Sequence, residues 1–429
     1  MEDGPVVLFE KVFSYLKDQY EIRKSKNNFT FLPAPAKAGI NIVGYLCAET
    51  GLGESVRTLV KSIRTTKIQH SLINYKLYCL EDNDKRFEKE FVKTNEYNVN
   101  IIVINPDNLD TVISYLGEKF FSNRYNIGYW AWELPEIPTE WKKYENCFDE
   151  FWVPSKFVKR AIIKKINRHV EVVPHSIEIK SFEKRERNHF GLDNENFLFS
   201  FIFDYNSLPE RKNPAAIVRS FKKAFNENEN VSLVIKCSNS KNYSAHHELL
   251  LREVGEDERI KIMNKHFTRD EIYSLLDISD AYVSLHRSEG FGLTMAEAMS
   301  LEKPVICTNY SGNIDFAKEN NSFLVGYKKT LLEENIGPYK KGDEWAEPDI
   351  DEAAEFMRKI YENKELMNEI GNRGREYIHD NFSPKVIGKI IENRFEQISQ
   401  INKKRMPLEY DSIQKQGDLF GEKNAPFNQ

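Results

Sequence analysis

The chain has 429 residues, more than a single hydrophobic core usually fills, so two or three domains with a cleft between them are expected. Its 61 Lys and Arg stand against 66 Asp and Glu, a net charge of -5 that argues against nucleic acid as the main ligand and makes any anion site a local one. Cys47, Cys79, Cys147, Cys237 and Cys307 form no Cys-x-x-Cys pair, and no apolar run approaches the roughly 20 residues that cross a bilayer; a cytoplasmic protein with reduced thiols is expected, peripheral attachment at the inner face of a membrane staying open.

In chain order, residues 1–38 form an N-terminal extension with an amphipathic helical pattern, "VVLFEKVFSYLKDQYEIRKSK", that would pack on the first domain or lie on a membrane surface. From residue 39, β-rich runs alternate with helical patterns: "INIVGYLC" (40–47), "HSLINYKL" (70–77), "VNIIVIN" (99–105), "YNIGYWAW" (125–132), "EFWVPS" (150–155) and "EVVPHSI" (171–177). A charged, turn-rich stretch over 179–196 reads as a linker. A second series follows: "FLFSFIFDY" (197–205), "VSLVIKCS" (231–238), "IKIMNKHF" (260–267), "DAYVSLH" (280–286), "PVICTNY" (304–310) and "SFLVGY" (322–327). The alternation predicts an α/β fold of two tandem doubly wound, Rossmann-like domains, 39–178 and 197–382, facing across a cleft. Helix starts are marked by a Thr268-x-x-Glu271 capping box and by Asn213-Pro214 and Ser383-Pro384. The helical segment 383–402 is expected to cross back and complete the first domain, leaving a polar tail over 404–429.

"HRSEGFGLTMAEAM" (286–299) places Glu289-Gly-Phe-Gly292 between the carboxyl end of a strand and the amino end of a helix, where ligands bind in open parallel sheets. A helix amino end presents unpaired amides and partial positive charge, and Gly290 and Gly292 remove side chains that would hold a phosphate away. Two carboxylates there would repel a bare phosphate. They suit hydroxyls at the two ends of a diphosphate, sugar hydroxyls at Glu289 and ribose hydroxyls at Glu297, which defines a nucleotide-sugar site. Arg211 and Lys212, in "DYNSLPERKNP", supply cations at the end of the second domain's first strand, and Gly51 and Gly53, in "AETGLGES" (48–55), open a glycine loop across the cleft. Singly, each of these reads as ordinary solvated surface or loop; together, all fall at strand carboxyl ends of two tandem domains.

These motifs resemble retaining glycosyltransferases of the GT-B fold, glycosyltransferase family four (glycosyl transferases group one). The E-x(7)-E motif stands as "EGFGLTMAE" (289–297), followed by "AMSLEKPVICTNYSGNIDF", and "RKNP" is similar to the family's phosphate clamp; the likeness runs from about 39 to 400 and is strongest over 197–316. The resemblance implies transfer of a hexose from a nucleotide-sugar donor to a saccharide or lipid-linked acceptor, with retention and without a metal or other cofactor, in polysaccharide or glycoconjugate synthesis. It implies that Glu289 and the Gly290, Phe291, Gly292, Leu293 and Thr294 backbone hold donor sugar and diphosphate, Glu297 the ribose and Lys212 the phosphates. The family's Arg five residues before that Lys is replaced by Ser207, which makes Arg211 the candidate substitute. Glu289 and Lys212 carry the catalytic expectation on the donor side. Glu133, in "GYWAWELPEIP", is the acceptor-side catalytic candidate. Trp130 and Trp132 read as core or as a sugar-stacking pair, His175 as cleft or interdomain packing, and the loop "NKHFT" (264–268) as base-facing, with UDP- and GDP-sugars not distinguished. The Asp-x-Asp at Asp82-Asn83-Asp84 sits in a charged loop and reads as solvated surface rather than a metal site. Three rivals stand beside this reading: a non-catalytic nucleotide-sugar-binding protein of the same fold; a glycoside hydrolase, which needs carboxylates facing each other across a sugar; and a dehydrogenase, whose third glycine "GLGESV" lacks.

Overall fold

The structure, a computed structural model, describes residues 36–76 and 84–417, with side chains described as far as residue 401. Cys79, Asp82, Asn83 and nearly all of the N-terminal extension lie outside the described residues.

The first domain is a parallel sheet of β1 (Lys37–Gly44), β2 (His70–Asn74), β3 (Tyr97–Val103), β4 (Tyr125–Tyr129), β5 (Glu150–Val153) and β6 (His169–Val172), in the order β2-β1-β3-β4-β5-β6. The central strands are apolar on both faces because helices cover both. Register is fixed by a buried ladder in which Asn41 donates to Asn100 Oδ1 at 2.9 Å and Asn100 donates to Asn126 Oδ1 at 2.8 Å across three neighbouring strands. A one-residue slip would bury these amides unpaired. Helix α1 (Gly51–Ile63) follows β1 and helix α2 (Lys156–Ile163) follows β5, each starting on a side-chain cap, Thr50 and Ser155.

The second domain is a parallel sheet of β7 (Phe197–Asp204), β8 (Val231–Ser238), β9 (Ile260–Asn264), β10 (Ala281–Ser284), β11 (Val305–Thr308) and β12 (Phe323–Val325), in the order β12-β11-β10-β7-β8-β9. Its functional helices are α3 (Pro209–Lys212), α4 (Pro214–Ala224), α5 (Arg269–Ile278) and α6 (Leu293–Ser300). Thr268 and Glu271 form the capping box of α5 as read from the sequence. Asn213 does not cap α4 through its side chain; it takes a left-handed conformation at φ 54° and turns the chain between α3 and α4.

Two features depart from the sequence reading. An antiparallel hairpin, β13 (Tyr327–Leu331) and β14 (Glu344–Pro348), extends the second domain, and its Leu332, Tyr339, Trp345 and Ala346 join the first domain's Trp130, Trp132, Leu134 and Trp141 in one core. The C-terminal helix α7 (Pro384–Gly417) runs past residue 402 instead of giving way to a tail at 404; Lys403, Lys404, Arg405, Met406, Leu408 and Glu409 are good helix formers, and Pro407 among them is the one residue that opposes the extension. Its Ile387, Ile391 and Ile398 pack under the first sheet with Val56, Leu59 and Ile63 of α1. Arg394 of α7 meets Glu150 of β5, a fully buried carboxylate that also accepts from Tyr125 and Trp152. Among the described residues, no helix is long and apolar enough to cross a membrane.

Candidate active site

The loop leaving β10 carries Ser288, Glu289, Gly290, Phe291 and Gly292 into α6. Gly292 takes φ 94°, a conformation that favours glycine, and so turns the strand into the helix. Gly290 is where the two domains touch: a side-chain carbon there would lie 2.9 Å from the carbonyl oxygen of Trp132. Two further bonds hold the loop against the first domain, from Ser155 Oγ to Gly290 O at 2.6 Å and from Ser288 Oγ to the carbonyl of Glu133. Phe291 turns its ring into the core against His175, Phe316 and Phe382, so this residue offers a ligand only its backbone. Leu293 and Thr294 are half-buried in the first turn of α6, where helix amides lack intrahelical partners.

Across from this loop, Leu208 and Asn213, both with positive φ, bracket α3 and aim its two cations. Lys212 forms an ion pair with Glu289 Oε1, and Arg211 Nη1 lies 3.3 Å from the same oxygen. Arg211 is itself held, donating from Nη1 to Ser288 O and from Nη2 to Ser207 O, both at 2.9 Å. Its charge therefore lies beside Ser207, five residues before Lys212. Burial alone would push the Glu289 carboxyl up, but Lys212, Arg211 and His286 hold it down at about 2, so it is ionised at neutral pH. Glu133, half-buried on the first domain, lies close enough to perturb Arg211 electrostatically and accepts a hydrogen bond from Tyr339 at 3.0 Å.

Glu297, a turn into α6, occupies a second polar group. Its carboxylate is 4 % exposed and pairs with Arg269 of α5, which also meets Tyr273 at 2.9 Å and reaches Glu54 of the first domain at 3.6 Å. Burial raises the Glu297 carboxyl, and Arg269 opposes this only in part. Burial also acts upward on Glu54, but Arg269, Arg57, Lys61 and Arg86 outweigh it and bring that carboxyl to about 2. A cavity of about 10 Å³ lies between the domains beside these groups, lined by Glu54, Lys61, Ser176, Glu178, Tyr273 and Glu297 among others.

Gly51, at the start of α1, is exposed, with open space around its α-carbon. Gly53 is buried; its N–H donates to Thr50 Oγ1 at 3.1 Å, and the space a side chain would need is filled by Ala48 O, so its own loop claims it. Trp130 and Trp132 are buried core rings rather than a sugar platform. His175 sits buried at the domain junction, its ring against Phe291, and burial brings its imidazole down to about 4. Asp84 pairs with Arg57 and Arg86, and among the described residues no group of three or more His, Cys, Asp and Glu is placed to hold a metal.

Glu54, Arg269 and Tyr339 were missed by the motif reading. Glu54 and Arg269 each stand in the first turn of a helix directly after a strand-end loop, the position that singled out the other candidates. Tyr339 lies in "YKKTLLEENIGPYKKGDEWAEP" (327–348), whose two short runs around Gly337-Pro338 are a hairpin signal.

Two parallel-sheet Rossmann-like domains with a site between the β10–α6 loop and the first domain form the GT-B architecture, shared with solved glycosyltransferase structures. Residues 183–377 match the family described as Glycosyl transferases group 1. Among curated relatives, the chain is 26 % identical over 227 residues to the capsular polysaccharide biosynthesis glycosyltransferase CapM of Staphylococcus aureus, covering 52 % of each chain, and 29 % identical over 147 residues to a trehalose synthase of Thermococcus litoralis, covering 34 % of this chain and 30 % of that one. The match thus spans about half of the first relative and under a third of the second. The structure superposes on that of HepE from Anabaena, solved with UDP and glucose, with a TM-score of 0.62 over 84 % of this chain and 100 % of that one, at 12 % identity.

Proposed function

We propose that the protein is a glycosyltransferase that moves a hexose from a nucleotide-sugar donor to a saccharide or lipid-linked glycan acceptor, in cell-surface polysaccharide or glycoconjugate synthesis. The observation that carries this reading is the meeting of Arg211, Lys212 and Glu289 at the amino end of α6, opposite Glu133 of the other domain. Fixed cations and helix amides aimed at one point suit a diphosphate leaving group, because they stabilise charge as it develops without reorganising. Similarity to CapM, a capsular polysaccharide glycosyltransferase, supports the substrate class.

In this proposal the diphosphate lies on Lys212, Arg211 and the Gly290–Thr294 backbone, Glu289 takes sugar hydroxyls, and Glu297 takes ribose hydroxyls, sharing its charge with Arg269. A bond forms between the acceptor oxygen and the anomeric carbon while the bond from that carbon to the β-phosphate oxygen breaks. The electron pair leaves on the nucleoside diphosphate, which also takes the acceptor proton. Glu133 orients the acceptor hydroxyl. Attack from the face the leaving group vacates gives retention, and Lys212 with Arg211 supplies the charge a divalent cation would otherwise bring. That Arg57 and Arg86 occupy Asp84 supports metal independence.

A thermal-shift screen of UDP- and GDP-hexoses identifies the donor, since a ligand at 100 times its Kd adds about 2.7 kcal/mol of stability. Release of nucleoside diphosphate from that donor then tests the activity. Stabilisation without turnover would favour the non-catalytic binder of the same fold, and the absence of both stabilisation and turnover would contradict the proposal.

A further inference from the structure

The tip of the β13–β14 hairpin reaches the candidate site from the second domain. Tyr339 there is 2 % exposed; its ring meets Trp132 edge-on at 5.4 Å, and its hydroxyl donates to Glu133 Oε2 at 3.0 Å. Burial and the Glu133 carboxylate both push that hydroxyl far above the ordinary tyrosine range, so it remains a donor. The base of the hairpin is fixed to the donor loop. Arg287, two residues before Glu289, donates to Glu347 Oε1 at 3.1 Å, stacks over Trp345 at 5.2 Å, and accepts from Ala346 N–H at 2.9 Å through its carbonyl. One hairpin therefore runs from the donor loop to the acceptor-side carboxylate.

We propose that Tyr339 is a positioning residue that fixes the Glu133 carboxylate for the incoming acceptor hydroxyl, an inference that rests on the sugar-transfer reading above. A carboxylate has two oxygens; the Tyr339 bond occupies one and sets the plane of the other, and a bond from O–H to an ionised carboxylate is among the stronger ones. Tyr339 and Glu133 belong to different domains, so the bond exists only while the hairpin is seated against the first domain. Orientation of the acceptor is thereby tied to closure of the site, and an unseated hairpin leaves Glu133 free to rotate. Transfer to a sugar acceptor depends on that orientation, whereas the nucleotide is held by the charges of Lys212 and Arg211, which loss of a neutral hydroxyl leaves in place.

Tyr339→Phe in the full chain tests this, because it keeps the ring on Trp132 and removes only the hydroxyl. Nucleoside diphosphate release from UDP- and GDP-hexoses is followed with and without aryl glycosides as acceptors, in the wild type, Tyr339→Phe, Glu133→Ala and the double variant. The expected result is unchanged nucleoside diphosphate affinity and melting temperature, a fall of about tenfold or more in kcat for transfer to the glycoside, as for loss of a hydrogen bond to a charged group, and no further fall when Tyr339→Phe is added to Glu133→Ala. Full transfer by Tyr339→Phe, an equal fall in the Glu133→Ala background, or a matching loss of nucleotide affinity and melting temperature would overturn the assignment. A wild type that turns over no donor overturns the transferase reading and this inference together; an unaffected variant of an active enzyme overturns only the inference.

Discussion

At the scale of single residues, the two glutamates of the E-x(7)-E motif are separated by what surrounds them. Glu289 is flanked by two cations of its own domain, whereas Glu297 shares Arg269 with Glu54 of the other. If Glu297 takes ribose hydroxyls, Glu297→Ala should weaken nucleoside diphosphate and intact donor alike, by about 1–3 kcal/mol for charged hydrogen bonds. Glu289→Ala, which frees Lys212 and Arg211 of their carboxylate partner, should leave nucleoside diphosphate affinity at or above wild type while turnover falls steeply, since its contacts orient the reacting carbon. Lys212→Ala should weaken diphosphate more than monophosphate. Calorimetric titration of the three variants checks this, and equal losses for Glu289→Ala and Glu297→Ala would remove the division of roles. Glu289, Gly290, Gly292, Glu297, Arg211 and Lys212 were legible in the sequence because each belongs to a motif with a local mechanism, a strand–turn–helix junction or a basic pair beside a proline. Arg269 and Tyr339 were not, because their partners Glu54 and Glu133 lie 215 and 206 residues away in sequence and no local pattern announces a pairing across two domains.

Among the elements, the C-terminal helix α7 shows how a surface pattern becomes a structural requirement. Its isoleucines bury against α1, and Arg394 supplies the cation that makes a fully buried Glu150 tolerable beside Tyr125 and Trp152. Arg394→Ala leaves that carboxylate uncompensated, so it should destabilise the chain by about 3–5 kcal/mol; urea denaturation of the full chain measures it, and a loss below about 1 kcal/mol would show that α7 is held by its apolar face alone. Eleven of the twelve strands of the two parallel sheets lie mostly within the β-rich runs, because strands buried on both faces are written as continuous apolar stretches such as "NIIV" and "FLFSFIF"; β6 (His169–Val172) shares only Glu171 and Val172 with its run over 171–177. The hairpin escaped notice for the converse reason. Its strands "YKKTL" and "EWAEP" are largely polar, and the hairpin's core side chains, Leu332 and Tyr339 of the connecting loop with Trp345 and Ala346 of β14, complete a core belonging to the other domain.

Across the whole molecule, the domains meet through polar contacts at both ends of the site: Ser155 and Glu133 on the β10–α6 loop, Tyr339 on Glu133, Glu54 on Arg269, and Glu49 on His266 at 2.8 Å. His175 lies buried at this junction and His286 beneath the donor loop; burial lowers both imidazoles from 6.5 to about 4. The unfolded chain therefore takes up protons that the folded one refuses as pH falls from 6.5 towards 4, and stability should decline over that window, by about 1.4 kcal/mol per pH unit for each histidine at most. The lowered carboxyls of Glu54 and Glu289 extend the decline from 4.5 towards 2, while the raised carboxyl of Glu297 works against it. Melting temperatures between pH 7 and 4 test this, and a flat profile would show that these groups titrate normally. The most direct test of the account as a whole is release of nucleoside diphosphate from the stabilising nucleotide-sugar in excess EDTA, measured for the wild type and Glu289→Ala. The account predicts turnover that persists without divalent metal and drops by orders of magnitude in the variant; turnover restored only by Mg²⁺ or Mn²⁺, or an equally active Glu289→Ala, would contradict it.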